Sequence, residues 1–475
     1  MKYRIAVRYY ASGAWTAESG LHVGGEGGFE TNADMALLRD SQDRFFVPGA
    51  SIAGAARNFL ARRSAEFGAY IRGTAGEPQE LQLLFGKERM SLLTIFDAQC
   101  EGQAVPCVRD GVRINGKEGV AADGAKYDFE VLPAGTTFTM QFLLSLYEED
   151  DGDQIFRLFC AMLAGFVQGD IRLGARTRRG LGRGSLRNLQ ISRLDMGKAE
   201  HVRAWLAQNW ASGDRVTPDI SESREPKRLT VEADLRLKTS LLIRSGGEAP
   251  GGPDMVHLSE QGRRLLTGTS LAGALRHRCE RIANTMCPED AQGLVAGMFG
   301  PLESGGRRSL RAGRIWVDEQ FMESCNMQVQ SRVRIDRFTG GALESALFDE
   351  APLWPADAPR HVRICIHLDL DCAPELLPEN GQPLPPPDLR ECALLLQAFK
   401  DLWLGDLPLG GEVGAGRGVF LGVEAAIRHP EYPLLKFRTT GEDPACVDVL
   451  EGSWDDLNTL ASALRPQEEG EVTHA

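Results

Sequence analysis

Apolar and polar residues alternate with a period of two in two separate stretches of the chain. Ile5, Val7 and Tyr9 alternate with Arg4, Ala6 and Arg8, and Leu229, Val231, Ala233, Leu235 and Leu237 alternate with Thr230, Glu232, Asp234, Arg236 and Lys238. Alternate side chains of a strand point to opposite faces, so each stretch predicts a half-buried strand. The period then changes to that of a helix. Ile52, Ala55, Ala56, Phe59 and Leu60 keep helical spacing, as do Leu271, Ala274, Leu275, Cys279 and Ile282. Ser51 and Ser270 are placed to cap these helices. Later, Ile155, Phe156, Phe159, Met162, Leu163 and Phe166 predict a second helix in the first half. Leu389, Cys392, Ala393, Leu396, Phe399 and Trp403 predict its counterpart in the second.

The two halves also repeat in sequence. Gly49-Ala-Ser51-Ile-Ala-Gly-Ala-Ala-Arg57 matches Gly268-Thr-Ser270-Leu-Ala-Gly-Ala-Leu-Arg276, and Asp34-Met35 upstream of the first matches Asp254-Met255 upstream of the second. Downstream, Leu84-Phe85-Gly86 matches Met298-Phe299-Gly300, and Val112-Arg113-Ile114-Asn115 matches Val333-Arg334-Ile335-Asp336. A run from Leu173 to Gly184, rich in Arg and Gly, matches Leu409 to Gly418 and is two residues longer. Five blocks in one order mean a tandem duplication. Strands around two helices in each half predict an α+β chain of two tandem ferredoxin-like (β-α-β-β-α-β) domains. The expected division is a first module at 1–208, a linker at 209–228 rich in Ser, Asp, Pro and Glu, a second module at 229–428 and an acidic extension at 429–475. In that extension Leu457, Leu460 and Leu464 keep helical spacing after Ser453 and predict a short helix near Trp454 to Leu464, docked on the second module or a neighbouring subunit.

Composition narrows the class. Of 475 residues, 43% are hydrophobic and 25% charged, the balance of a soluble globular protein. No apolar run approaches the roughly 18 residues that span a bilayer, and the N-terminus lacks a signal-peptide core. The ten cysteines include no C-x-x-C pair, which argues against a zinc ribbon or a disulfide scaffold. A cytoplasmic protein without membrane contact is expected. The net charge of −13 counts against a polyanionic partner until its distribution is considered. Residues 441–475 hold nine carboxylates and one arginine. Arg172, Arg176, Arg178, Arg179, Arg183 and Arg187, by contrast, fall in a stretch without any carboxylate. That stripe is the footprint of a nucleic-acid partner.

The repeated blocks carry the candidate chemistry. A Gly-x-Ser turn at a helix N-terminus offers free N–H groups to a phosphate, which Arg57 or Arg276 can reinforce; plain capping with small residues is the alternative. The Arg-Gly loop lets backbone approach a polyanion while Arg176, Arg178, Arg179 and Arg183 grip phosphates; a solvated turn is the alternative. Its second copy keeps only Arg417 and carries Glu412, so the grip should be lopsided. Asp34 and Asp254 lie in polar loops upstream of these sites. A carboxylate there can bind a divalent metal or take a proton from a 2′-hydroxyl; otherwise it is a solvated loop residue. His22 and His257 are weaker candidates. Residues 109–135 and 332–352 read as long hairpins whose tips can wedge between bases or remain plain surface loops.

In these blocks the chain resembles the repeat-associated mysterious protein (RAMP) superfamily, and within it the backbone subunits of type III CRISPR effector complexes. The residues that carry the resemblance are Leu21-His22-Val23-Gly24-Gly25, Asp34 to Asp40, Pro48-Gly49-x-Ser51, Leu84-Phe85-Gly86, the Arg-Ile-Asn/Asp hairpin start, Gly135-Thr136-x-Phe138 and the Arg-Gly loop. They cover both halves, roughly residues 1 to 425, in an arrangement similar to the fused double-backbone proteins of type III-D systems. The resemblance implies modified RNA-recognition folds that hold guide RNA, hairpin thumbs that flip a nucleotide, and loop aspartates that support metal-dependent cleavage of paired target RNA. By that match Asp34 and Asp254 are the catalytic aspartates and the ligands of a divalent metal, Mg²⁺ or Mn²⁺, with no organic cofactor. The RNA-contacting set is Ser51, Arg57, Arg113, Arg176, Arg178, Arg179, Arg183, Ser270, Arg276, Arg332, Arg334 and Arg417. The implied partners are guide CRISPR RNA, complementary target RNA, a large cyclase-type subunit, a small subunit and further RAMP subunits. The second half departs from the pattern at Thr267-Gly268 in place of Pro-Gly, at Ser259 where the first half has Asp40, and in its shorter, less basic loop. In the first half Asn115 stands where the second has Asp336. Two other readings compete: an RNA-binding scaffold that does not cut, and a guide-processing endoribonuclease of the same superfamily. Two glycine loops and two Gly-x-Ser helices count against the latter, which typically has one terminal loop.

Overall fold

The first alternating stretch forms the strand Ile5–Ala17, whose inward residues Ala11, Trp15 and Ala17 are buried. A computed structural model describes residues 4–24, 33–63, 79–87, 89–114, 121–218, 227–246, 251–301, 313–323, 325–356, 361–370 and 388–464. The chain divides into two units, one mainly of residues 1–113 and 123–226 and the other mainly of 227–371 and 384–475.

In the first unit Ile5–Ala17 lies between Gly184–Asp195 and Thr137–Tyr147, antiparallel to both, with Tyr9 opposite Arg193 and Leu144. Ala98–Cys100 joins beyond Thr137–Tyr147. Counted by chain position, the four main strands stand in the order 4-1-3-2, and the helices Gly49–Arg63 and Gly152–Gln168 complete the β-α-β-β-α-β pattern. Asp151 caps the second of these helices by accepting from the Gln154 N–H, and Gly169 ends it in the left-handed conformation. Its buried face of Ile155, Phe159, Met162, Leu163 and Phe166 meets Trp15, Phe138 and Phe142 in one core.

The second unit repeats this plan. Arg228–Leu237 buries every second residue, as its alternation predicts, and lies between Phe420–His429 and Val362–Asp369, with Ile315–Asp318 beyond. Gly268–Met286 and Leu389–Leu404 cover one face. Asp388 caps the latter helix through the Arg390 N–H. Among the described residues no helix is long and apolar enough to cross a membrane.

Two expectations are corrected here. Residues 210–216 do not act as linker: Asp214–Val216 pairs along Gly184–Asp195, and Trp210 stacks on Trp205 with ring centroids 5.1 Å apart. The second module does not end at 428, since Tyr432–Thr439 and Val447–Glu451 extend its sheet. Within the acidic extension the expected helix forms at Trp454–Ser462, capped by Ser453. Its Leu460, with Leu464 just beyond, joins the second core, and Trp454 packs on Phe437. Leu460 and Leu464 are buried while Asp455 is exposed, so the helical spacing of the leucines rather than the composition marks the element. Leu460→Ala is therefore expected to cost about 2–5 kcal/mol, as core leucine truncations do. A lowered thermal midpoint would register it, and an unchanged one would show the helix to be undocked.

The sheet faces away from the helices direct attention elsewhere for the site. RNA-recognition sheets stack bases on exposed aromatics. In the first module that face is covered by its own residues, with the Arg8 guanidinium 3.6 Å from the Trp205 ring and Tyr10 against Trp210. In the second it is a lattice of ion pairs, Arg363 with Asp234 and Arg428 with Glu232. The loops and hairpins are what remain.

Candidate nucleic-acid interface

Both glycine loops are held by the same backbone bonds. In the first module the Leu173 N–H donates to the Gly182 carbonyl (2.9 Å), Gly182 to Gly20 (2.8 Å) and Ala175 to His22 (2.8 Å). In the second, Leu409 donates to Gly418 (2.9 Å), Gly418 to Ser240 (2.7 Å) and Gly411 to Leu242 (2.7 Å). Gly182 and Gly418 have φ of 72° and 80°, and a Cβ on either would collide with the Leu173 or Leu409 carbonyl. Only glycine fits there. This register corrects the reading of the second loop as shorter. Gly182 is equivalent to Gly418, the loops are equally long, and Arg417 occupies the position of buried Leu181.

The aspartate loops are equally matched. Asp34 is exposed, and its Oδ2 accepts the Asp128 N–H from the outgoing hairpin strand at 3.0 Å. Exposed Asp254 accepts the Asp349 N–H in the same way at 2.9 Å. Met35 bridges in parallel to Phe129, and Met255 to Glu350. Each aspartate is thus oriented on its hairpin by one oxygen. Beneath the first, buried His22 bonds through Nδ1 to the Glu130 carbonyl (2.7 Å), and burial lowers its pKa. His257 is buried between the Ile243 N–H and the Leu265 carbonyl, and burial lowers its pKa to about 4. Both histidines are neutral structural groups at pH 7.

The chemistry on these matching frames differs. Arg176 has φ of 58°, and its guanidinium lies 3.8 Å from the Phe129 ring and 4.9 Å from that of Tyr127. Burial lowers its pKa, and its Nη1 has no hydrogen-bond partner. A half-buried cation on aromatic faces with an unsatisfied N–H is prepared for an anion. Arg179 is exposed, Arg178 is half-buried, and Arg183 pairs with Glu18 at 3.0 Å. At the position of Arg176 the second module has Glu412, also left-handed at φ 57°. Glu350 stands where the first module has Phe129.

Arg417, expected to grip phosphate, is instead buried in ion pairs to Glu350 (3.1 Å) and Glu412 (3.0 Å). Arg332, expected likewise, pairs with Glu412 at 2.9 Å and Glu350 at 3.4 Å. Arg334 is exposed on the hairpin, and the Arg113 side chain lies outside the described residues. The helix starts also differ from expectation. Thr267, not Ser270, caps the second helix, its Oγ1 accepting the Ser270 N–H at 3.3 Å. The first helix begins at Gly49, whose N–H donates to Asp97 Oδ1 at 2.7 Å; Ser51 lies exposed within its first turn. A residue already in the helix cannot cap it, and Asp97 fills part of the anion site expected there. Arg276 is ion-paired to Glu280 (3.0 Å), and Arg57 is half-buried and engaged.

Sequence reasoning overlooked Phe129, Glu350, Arg244 and the pair Asp110–Asp128. The nearby Asp110 carboxyl raises the pKa of Asp128. The equivalent cross-strand pair in the second module is Ser331–Asp349. Only the alternation within the hairpin strands hinted at these residues, and it does not tell which of them meets a distant loop. At the second hairpin tip, Asp336 Oδ1 accepts the Phe338 and Thr339 N–H groups and presents Phe338 98% exposed. The first tip, including Asn115, lies outside the described residues. Among the described residues no three His, Cys, Asp or Glu side chains gather to hold a metal. A divalent cation fits Asp34 or Asp254 only as a shared ion, with water and phosphate supplying its other ligands.

A family model described as the RAMP superfamily matches residues 16–185 and 234–420, spans that include both aspartates and the whole of both glycine loops. No curated protein matches the chain.

Proposed function

Because the chain belongs to the RAMP superfamily, matched once in each half, we propose that it is a double backbone subunit of a type III CRISPR effector that holds guide RNA and cuts paired target RNA at two places. Superfamily membership supports a CRISPR-associated RNA-binding subunit of a multi-subunit complex. The observation that favours cutting is the paired geometry of Asp34 on Asp128 and Asp254 on Asp349: the same exposed carboxylate, held by the same hairpin N–H, in both modules.

In this reading the hairpin splays a target nucleotide, Phe338 being the wedge of the second module. The open carboxylate oxygen accepts the proton of the adjacent 2′-hydroxyl. The 2′-oxygen attacks phosphorus and the bond to the 5′-oxygen breaks. The products are a 2′,3′-cyclic phosphate and a 5′-hydroxyl, which takes its proton from water. A bound Mg²⁺ or Mn²⁺ supplies charge stabilisation at the phosphate. The partners are guide RNA, target RNA, the large cyclase-type subunit, the small subunit and further RAMP subunits, all in the cytoplasm. A scaffold role is favoured at one point only: Ser331 in the second module replaces the additional carboxylate of Asp110.

The test is to assemble the chain with its partners on a guide and map target cleavage. Two cuts in RNA, stopped by chelation and absent in DNA of the same sequence, are expected. Cleavage of the DNA would refute the 2′-hydroxyl mechanism.

A further inference from the structure

We propose that Glu350 and Glu412 are resident anions that close the second glycine loop to phosphate, leaving the Arg176 loop of the first module as the one that grips RNA. This rests on the RNA-binding reading above and adds to it which of two like-shaped loops is open.

The two loops share their backbone frame, so the contrast lies in side chains alone. In the first, one guanidinium sits on Phe129 and Tyr127 with no carboxylate among its described partners. The Nη1 of Arg176 and that of Arg417 both lack a hydrogen-bond partner, so the carboxylates alone make the contrast. In the second, three guanidinium groups surround two carboxylates. Arg417 contacts both Glu350 and Glu412, and Arg332 contacts both. Arg244 also reaches both, at 3.3 and 2.9 Å. The Glu350 side chain is 1% exposed, that of Arg417 3% and that of Glu412 15%. Each carboxylate sits where a phosphate would otherwise be drawn by the arginines.

For RNA to enter, a phosphate would have to displace a carboxylate covalently held in place, leaving that carboxylate buried without its partner. Three guanidinium groups that each bridge the two carboxylates make the resident pairs strong competitors. The cluster also ties the loop (Glu412, Arg417) to the hairpin (Arg332, Glu350). In the first module the contact of Arg176 with Phe129 and Tyr127 makes the same tie without consuming an anion site. The same mechanical link is thus made by two chemistries, one of which leaves the cation free to bind.

The test uses the full chain and a single-stranded RNA of guide length, titrated at several salt concentrations. Grafting the first-module residues, as Glu350→Phe, Glu412→Arg and Arg417→Leu together, is expected to tighten binding about tenfold at low salt. It should also steepen the log–log salt dependence by about 0.7, the increment for one newly gripped phosphate. Glu412→Gln alone, the mildest change, should move both in the same direction. The reciprocal Arg176→Glu should weaken binding and flatten the slope. Wild-type affinity and slope in the folded Glu412→Gln variant would overturn the proposal. A wild-type chain that binds no RNA would instead refute the function on which the proposal rests.

Discussion

Alanine at Asp34 is expected to abolish one target-RNA cut and alanine at Asp254 the other, with the double variant losing both while guide RNA stays bound. A positioned general base contributes about 10²–10⁴-fold, so each affected cut should fall by at least two orders of magnitude. The geometry supplies a sharper control than alanine. Each carboxylate uses Oδ2 to accept one hairpin N–H, from Asp128 or Asp349. Asparagine can keep that bond through its amide oxygen, and with it the loop conformation, but can neither take the proton nor attract a divalent ion. If Asp34→Asn cuts as poorly as Asp34→Ala, the charge is what matters. If Asn restores cutting, the aspartate only shapes the loop. The first cut should also be more sensitive to its surroundings, because Asp128, whose N–H holds Asp34, lies against Asp110, whereas Asp349 has Ser331 across from it. Cleavage at both positions by the double variant would remove Asp34 and Asp254 from the chemistry.

Replacing Arg176, Arg178 and Arg179 together is expected to weaken guide RNA binding and to flatten its salt dependence by up to about 2 in log–log slope, at about 0.7 for each phosphate no longer gripped. Arg417→Leu should leave that slope unchanged, although both loops have the same shape. Its effect should appear in stability instead. Arg417 is buried against Glu350 and Glu412, and breaking one side of such a cluster costs about 3–5 kcal/mol. Salt titration and thermal melting therefore separate the two arginine classes: the first set alters binding with little change in melting, and the second does the reverse. An unchanged slope in the triple variant would mean that the first loop faces something other than RNA.

Much of the architecture follows from local rules. The period-two run from Leu229 to Leu237 and the helical runs after Ser51 and Ser270 can satisfy their apolar faces in only a few ways, and the duplicated blocks state that the solution is used twice. The matched placement of Asp34 and Asp254 was legible for the same reason, since two loops at one point of each repeat are hard to explain separately. Three-dimensional pairing decided the rest. Aligned by composition, Arg417 falls near Arg183; the bonds from Leu173 to Gly182 and from Leu409 to Gly418 place it at Leu181 and make it a buried counter-ion. Glu350 and Phe129 occupy equivalent positions on hairpin strands, each far in sequence from the loop residue it meets. In the acidic C-terminal stretch the helical spacing of Leu457, Leu460 and Leu464 after Ser453 was legible despite the charges, and the fold decided only that Leu460 and Leu464 dock on the second core. Sequence by itself determined which elements form and that they form twice, because periodicity and turn chemistry act over a few residues. Which arginines remain open to an anion was decided only by the tertiary structure, because a charge is free or neutralised according to neighbours that the fold brings from far along the chain.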